Sequence, residues 1–263
     1  MAMAPARADQ GTPSAPPHEA VAAWELLDRM LYQDAAPLFD RLAAEPDAGP
    51  AVQLGHALSL LLRQPRTRGN LSAAERTLDR LSDIDDPSWR ILARYHRARY
   101  DHVHAFEPDL ERAQTRYREL WRDHPSHEFG QRAFLHAALL ALYEPAPSDR
   151  KRTQLETLDR EALRLVDEDL RRTYHFHAGE AWQRWLGDNE RAYGHYLHVA
   201  APGLERIEDQ AHLLVRLGEL ATALDRPDEA RRWFGEFLRE FPRDPRAHLV
   251  RLRLAALPAP SPR

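Results

Sequence analysis

"AHLLVRLGELATALDRPDEARRWFGEFLREFPRD", residues 211–244, decides how the rest of the chain is read. Its apolar residues recur at three- and four-residue steps, stop at Asp225-Arg226-Pro227, and resume through Ala230, Phe234 and Phe237 before Pro242. That spacing puts each apolar set on one face of a helix, and proline can open a helix or end one. The stretch predicts two helices, about 209–225 and 227–241, joined by a tight turn.

The second of these helices has counterparts along the chain. A small residue followed four and seven positions later by larger apolar ones occurs at Ala35/Phe39/Leu42, Ala74/Leu78/Leu81, Ala113/Tyr117/Leu120, Ala192/Tyr196/Val199 and Ala230/Phe234/Phe237. One further unit is required between the third and fourth, with its anchor near Thr153, where Thr157 and Arg160 replace the apolar pair. The steps are then 39, 39, 40, 39 and 38 residues. Recurrence at that period is the signature of stacked supersecondary units. A preceding helix completes each hairpin. The pairs are 18–32 with 34–45, 50–63 with 71–83, 88–103 with 108–123, 127–143 with 150–167, 170–186 with 188–201, and 209–225 with 227–241. A last helix at about 245–257 caps the stack. No period-two alternation and no Asn-Gly or Asp-Gly turn argues for strand.

Within 211–244, Leu217, Gly218, Ala230, Phe234 and Pro242 meet the pattern of a tetratricopeptide repeat, while Leu214 and Ala221 replace its Trp and Tyr. Pro125 and Pro242 each follow their anchor alanines by twelve residues. The chain therefore resembles the tetratricopeptide-repeat family, with longer units. The resemblance implies an all-α, right-handed solenoid of about six hairpins with a C-terminal capping helix over residues 18–257. The Pro/Ala/Ser-rich ends, 1–17 and 258–263, read as disordered tails.

Composition narrows the function. Net charge is −4, acids and bases are interleaved, and only Lys151 among the 37 basic residues is lysine, a bias we assign to genomic base composition. The longest basic stretch, Arg63-Gln-Pro-Arg66-Thr-Arg68, is too short for the stripe a nucleic-acid partner needs. Apolar runs such as Leu58–Leu62 and Ala137–Leu142 fall far short of the ~20 residues of a membrane span. Cysteine is absent, which excludes disulfides and thiolate chemistry. Ala6-Arg7-Ala8 has the small-x-small form of a signal-peptidase site, so a truncated signal peptide and a periplasmic setting are one expectation, and a cytoplasmic location the other.

Three histidine-bearing stretches invite a chemical reading. In "YHFHAGEAW", 174–182, His175 and His177 lie two apart on a helix and point about 200° apart, so they cannot share a metal. The repeat register explains the stretch otherwise: Ala178 and Gly179 mark a close helix crossing, Trp182 packs, and His175 is a hydrogen-bonded core residue. In "YDHVHAFEPD", 100–109, His102, His104 and Glu107 sit at a frayed helix end or turn, where a surface metal site is less forbidden. His124 with His127 and His195 with His198 read as surface pairs. The six tryptophans read as core, with Trp185 partly exposed. No phosphate loop, Ser-His-Asp order or carboxylate pair supports catalysis, so no cofactor is expected.

The resemblance implies a partner groove lined by the first helix of each hairpin. Matched onto this chain, its residues are Thr173, Phe176, Glu180 and Gln183, then His212, Val215, Glu219 and Thr222. The Lys/Arg/Asn clamp of chaperone-binding members is not matched, since the only asparagines, Asn70 and Asn189, lie in turns. The leading expectation is a non-enzymatic scaffold for a protein or peptide partner, in a bacterial envelope assembly if the chain is exported. A cytoplasmic regulatory adaptor and a His-dependent metal protein or hydrolase are the rivals.

Overall fold

The computed structural model describes residues 18–200 and 207–258. The two tails read as disordered fall outside these residues except for Pro258. The described residues form thirteen α-helices and one π-turn, with no strand. In order they are α1 (His18–Asp28), α2 (Tyr32–Leu42), α3 (Pro50–Leu62), α4 (Arg68–Leu81), α5 (Pro87–Arg99), the π-turn (Tyr100–His104), α6 (Leu110–Asp123) and α7 (Glu128–Tyr143). Then follow α8 (Ser148–Ala162), α9 (Glu168–Leu186), α10 (Asn189–Ala200), α11 (Ile207–Ala223), α12 (Pro227–Glu240) and α13 (Ala247–Ala255).

The fold is all-α and tetratricopeptide-repeat-like, made of consecutive antiparallel hairpins. It divides into two compact units, Met1–Ala137 and Ala138–Arg263. Side-chain caps set the starts of four of the helices. The Thr67 hydroxyl accepts from the Asn70 amide, which is why α4 begins at Arg68 rather than 71. Asp86, Asp109 and Asp167 cap α5, α6 and α9 in the same way.

All five sequence anchors are buried as expected, only Leu42 being partly exposed. Each buried Leu or Phe contributes roughly 1.5–3 kcal/mol. The sixth anchor is not at Thr153. The buried face of α8 is Lys151, Leu155, Leu158 and Ala162, so Lys151 holds the small-residue place. With it the repeat steps become 39, 39, 38, 41 and 38 residues. The sole lysine is fully buried, where its ammonium donates to the carbonyls of Ala141 (2.8 Å) and Glu144 (2.5 Å) and to Gln154 Oε1 (3.1 Å). A compact ammonium with three donors satisfies the end of α7, where carbonyls lack helical partners.

Two glycines in the second unit fix the hairpin spacing. A Cβ on Gly218 would lie 2.3 Å from the Phe234 ring, and one on Gly179 would lie 3.1 Å from the Tyr196 ring. Gly55 in the first unit faces Phe39 at 2.1 Å in the same sense. We expect Gly218→Ala to destabilise the fold by about 1–3 kcal/mol, because a core aromatic must move. Gly235, on α12, has nothing within 4 Å of its Cβ position. Gly235→Ala is expected to stabilise by about 0.5–1 kcal/mol. Urea midpoints that move in opposite directions for the two variants check this.

Candidate functional site

In the second unit, the close crossing at Ala178 and Gly179 lets α9 lie against α10, and this brings Tyr196 beneath the open face of α9. Tyr196 is fully buried and meets Phe176 edge-on, with centroids 5.9 Å apart. Phe176 in turn faces the His212 ring of α11 at 5.9 Å. Above these rings stands Glu180. The Tyr143 hydroxyl donates to Glu180 Oε2 at 2.7 Å. His177 Nδ1 lies 2.7 Å from the Tyr143 oxygen and 3.3 Å from Glu180 Oε2. Because the tyrosine's one proton is given to the carboxylate, His177 must be the donor and carries its proton on Nδ1. The hydrogen bond with His177, helped by that from Tyr143 and opposed by burial, holds the Glu180 carboxyl below the usual glutamate range.

A second group spans α11 and α13. Arg216 Nη1 donates to Glu219 Oε2 at 3.1 Å, and Arg253 donates to Glu219 Oε1. Glu180 and Glu219 occupy the same register position, 39 residues apart, and each has a basic or imidazole side chain three residues earlier, His177 and Arg216. Arg216, Glu219, Thr222, Phe234 and Arg253 line a cavity of about 530 Å³ with Ala256 and Leu257.

Of the eight residues taken from the repeat register, Phe176, Glu180, His212 and Glu219 lie in or beside these two groups. Thr222 joins them at the cavity, with its hydroxyl bonded to the Gly218 carbonyl at 2.8 Å. Thr173 bonds the Asp169 carbonyl (2.8 Å) and Gln183 is half-buried farther along α9. Val215 is a correction: it is 7% exposed and belongs to the core, because its neighbours Leu214 and Leu217 are buried with it. Sequence reading missed Tyr143, Arg216 and Arg253, and set His177 aside as a metal candidate without placing it on this face. The repeated pairs His177/Glu180 and Arg216/Glu219 were the available signal.

The rest of 174–182 is structural. Asp159 of α8 accepts from the Tyr174 hydroxyl (2.5 Å) and the Trp182 indole (3.0 Å), and pairs with His195 Nε2 at 3.3 Å. His195 Nδ1 meets His175 Nδ1 at 2.8 Å, so one proton lies between the rings. His175 also stacks on His198, centroids 4.5 Å apart. Burial, with His195 and His198 beside it, lowers His175 to about 4. His195 is thus buried, against the surface reading, because Asp159 offers it a partner inside the α8–α10 contact.

In the first unit, 100–104 is a π-turn rather than a frayed end, closed by Ala105 N–H donating to the Tyr100 carbonyl at 2.9 Å. The extra residue turns Asp101 inward, where it meets Arg97 (2.5 Å) and Arg116 (2.9 Å). His102 Nδ1 lies 3.4 Å from the Tyr117 hydroxyl. Burial, then the charges of Arg99 and Arg66, push His104 down to about 4. Glu107 is exposed. Among the described residues, no three His, Cys, Asp or Glu side chains are grouped to hold a metal ion. No helix there is long and apolar enough to cross a membrane.

No protein-family model and no curated protein matches the sequence. Two solved structures are similar in fold type. One is a thermophilic TPR protein of Thermus thermophilus, 20% identical, covering 79% of this chain and 98% of its own, with a TM-score of 0.40. The other is a tetratricopeptide repeat protein from Parabacteroides merdae, 13% identical, covering 92% and 85%, with a TM-score of 0.46.

Proposed function

We propose that this chain is a non-enzymatic scaffold that holds a protein or peptide partner on the first-helix face of its second unit. One observation carries the reading. Half-exposed polar side chains from α7, α9, α11 and α13 are held in two preorganised hydrogen-bonded groups, Tyr143–His177–Glu180 and Arg216–Glu219–Arg253, with the His212 imidazole 3.9 Å from Glu180. Side chains already held in place lose little freedom on binding, which favours recognition. Stacked hairpins present such faces to extended segments.

The test is a photo-crosslinking residue placed at Gln183, on this face, or at exposed Leu197 on α10, in cells of the source organism. A discrete adduct at position 183 and none at 197 is the expected result. The same adducts at both positions, or none at 183, would count against the assignment. The Ala6-Arg7-Ala8 pattern favours an envelope setting over a cytoplasmic adaptor, and fractionation of chromosomally tagged protein separates the two.

A further inference from the structure

The two equivalent glutamates of this face differ in what balances them. Glu219 is ion-paired by two arginines. Glu180 has no arginine or lysine within ion-pair distance among the described residues, and meets only the imidazoles of His177 (3.3 Å) and His212 (3.9 Å). Its side chain is 30% exposed, so the carboxylate is reachable from solvent. The Tyr143 hydroxyl bonds it, the His212 ring lies 3.9 Å away, and Phe176, one helical turn earlier on α9, packs against the Tyr196 and His212 rings. The Tyr196 hydroxyl and His212 Nε2 are buried with no hydrogen-bond partner, an arrangement that asks for an incoming polar group.

A carboxylate beside aromatic rings attracts a cation twice, by its charge and by the negative ring faces. The surrounding positive charges do not fill this place. Arg216 is engaged by Glu219, and Arg184 lies against the Trp185 ring at 5.2 Å. Burial and the nearby Arg216 charge favour neutral His212, which keeps a second positive charge away from Glu180. We propose that Glu180, with Tyr143 and His212 beside it, receives a lysine or arginine side chain of a basic partner segment. This rests on the scaffold reading and adds the sign of the partner's charge.

The experiment uses the full chain and short capped peptides in which alanine alternates with lysine, glutamine or glutamate, titrated by calorimetry. The lysine peptide should bind most tightly, more weakly at high salt, and about tenfold more weakly to Glu180→Gln, as loss of a charge-assisted hydrogen bond implies. Glu240→Gln, an exposed acid on α12, should leave binding unchanged. Equal binding of the lysine peptide to wild type and Glu180→Gln would overturn the proposal. If the glutamate peptide binds best and Phe176→Ala weakens it, the face is a docking surface but the cation assignment fails. If no peptide binds and position 183 gives no adduct, the scaffold reading fails as well.

Discussion

Arg97→Ala is expected to destabilise the first unit by about 3–5 kcal/mol, the usual cost of breaking one buried ion pair, here Arg97–Asp101. The Arg97 side chain is 3% exposed, and its three nitrogens hold three different carboxylates. Nη2 bonds Glu75 at 2.7 Å, Nε bonds Asp79 at 2.6 Å and Nη1 bonds Asp101 at 2.5 Å. Without the guanidinium, Asp101, itself 3% exposed, keeps Arg116 as its ion-pair partner, while Glu75 and Asp79 are 32% and 51% exposed and stay solvated. Because α4, α5 and the π-turn are tied through this one side chain, the loss falls on the packing of two hairpins. Arg97→Lys should recover only part of the stability, since a single ammonium cannot reproduce a planar fork aimed in three directions. Urea unfolding followed by circular dichroism reads the effect, and a cost below about 1 kcal/mol for Arg97→Ala would contradict it.

Acidification to pH 5 should cost the protein several kcal/mol before most carboxylates begin to titrate. His96 is 7% exposed and its pKa is lowered to about 3, chiefly by burial. His136 is likewise lowered to about 3, and His104 and His175 to about 4. All four fall below the ordinary value of 6.5, so the unfolded chain takes up protons first as pH drops. Their contribution is fully present above pH 6.5 and is lost as pH falls toward 4 and 3. His96 alone accounts for about 2 kcal/mol between pH 7 and 5. The half-buried three add less each, because solvent screens them. Unfolding midpoints at pH 7, 6 and 5 should fall steadily, and His96→Leu should flatten the profile by its share. A midpoint constant across that range would show that these rings are not held neutral.

Helices and hairpins were legible because apolar periodicity survives divergence: Ala230/Phe234/Phe237 and its four counterparts are buried for the same geometric reason. Thr153 misled because the true anchor is a cation. Lys151 reads as surface in any hydropathy pattern, and only the carbonyls at the end of α7 make its burial favourable. The π-turn was hidden since an inserted residue leaves no compositional mark, yet it decides that Asp101 faces inward. His195 was misread for want of Asp159, which lies 36 residues earlier and becomes its neighbour only when α8 meets α10. At the candidate site, register alone pointed to Glu180 and Glu219. Their partners Tyr143 and Arg253 come from the preceding hairpin and from the last helix α13, 37 residues before and 34 after, a distance at which chain spacing says nothing about contact.

The most direct measurement is amide hydrogen exchange of the chain alone and with the partner recovered at position 183. Slowed exchange along α9 and α11, around Phe176–Glu180 and His212–Glu219, is the expected result. Protection confined to the second helices α10 and α12, or to the first unit, would contradict a partner held on the first-helix face.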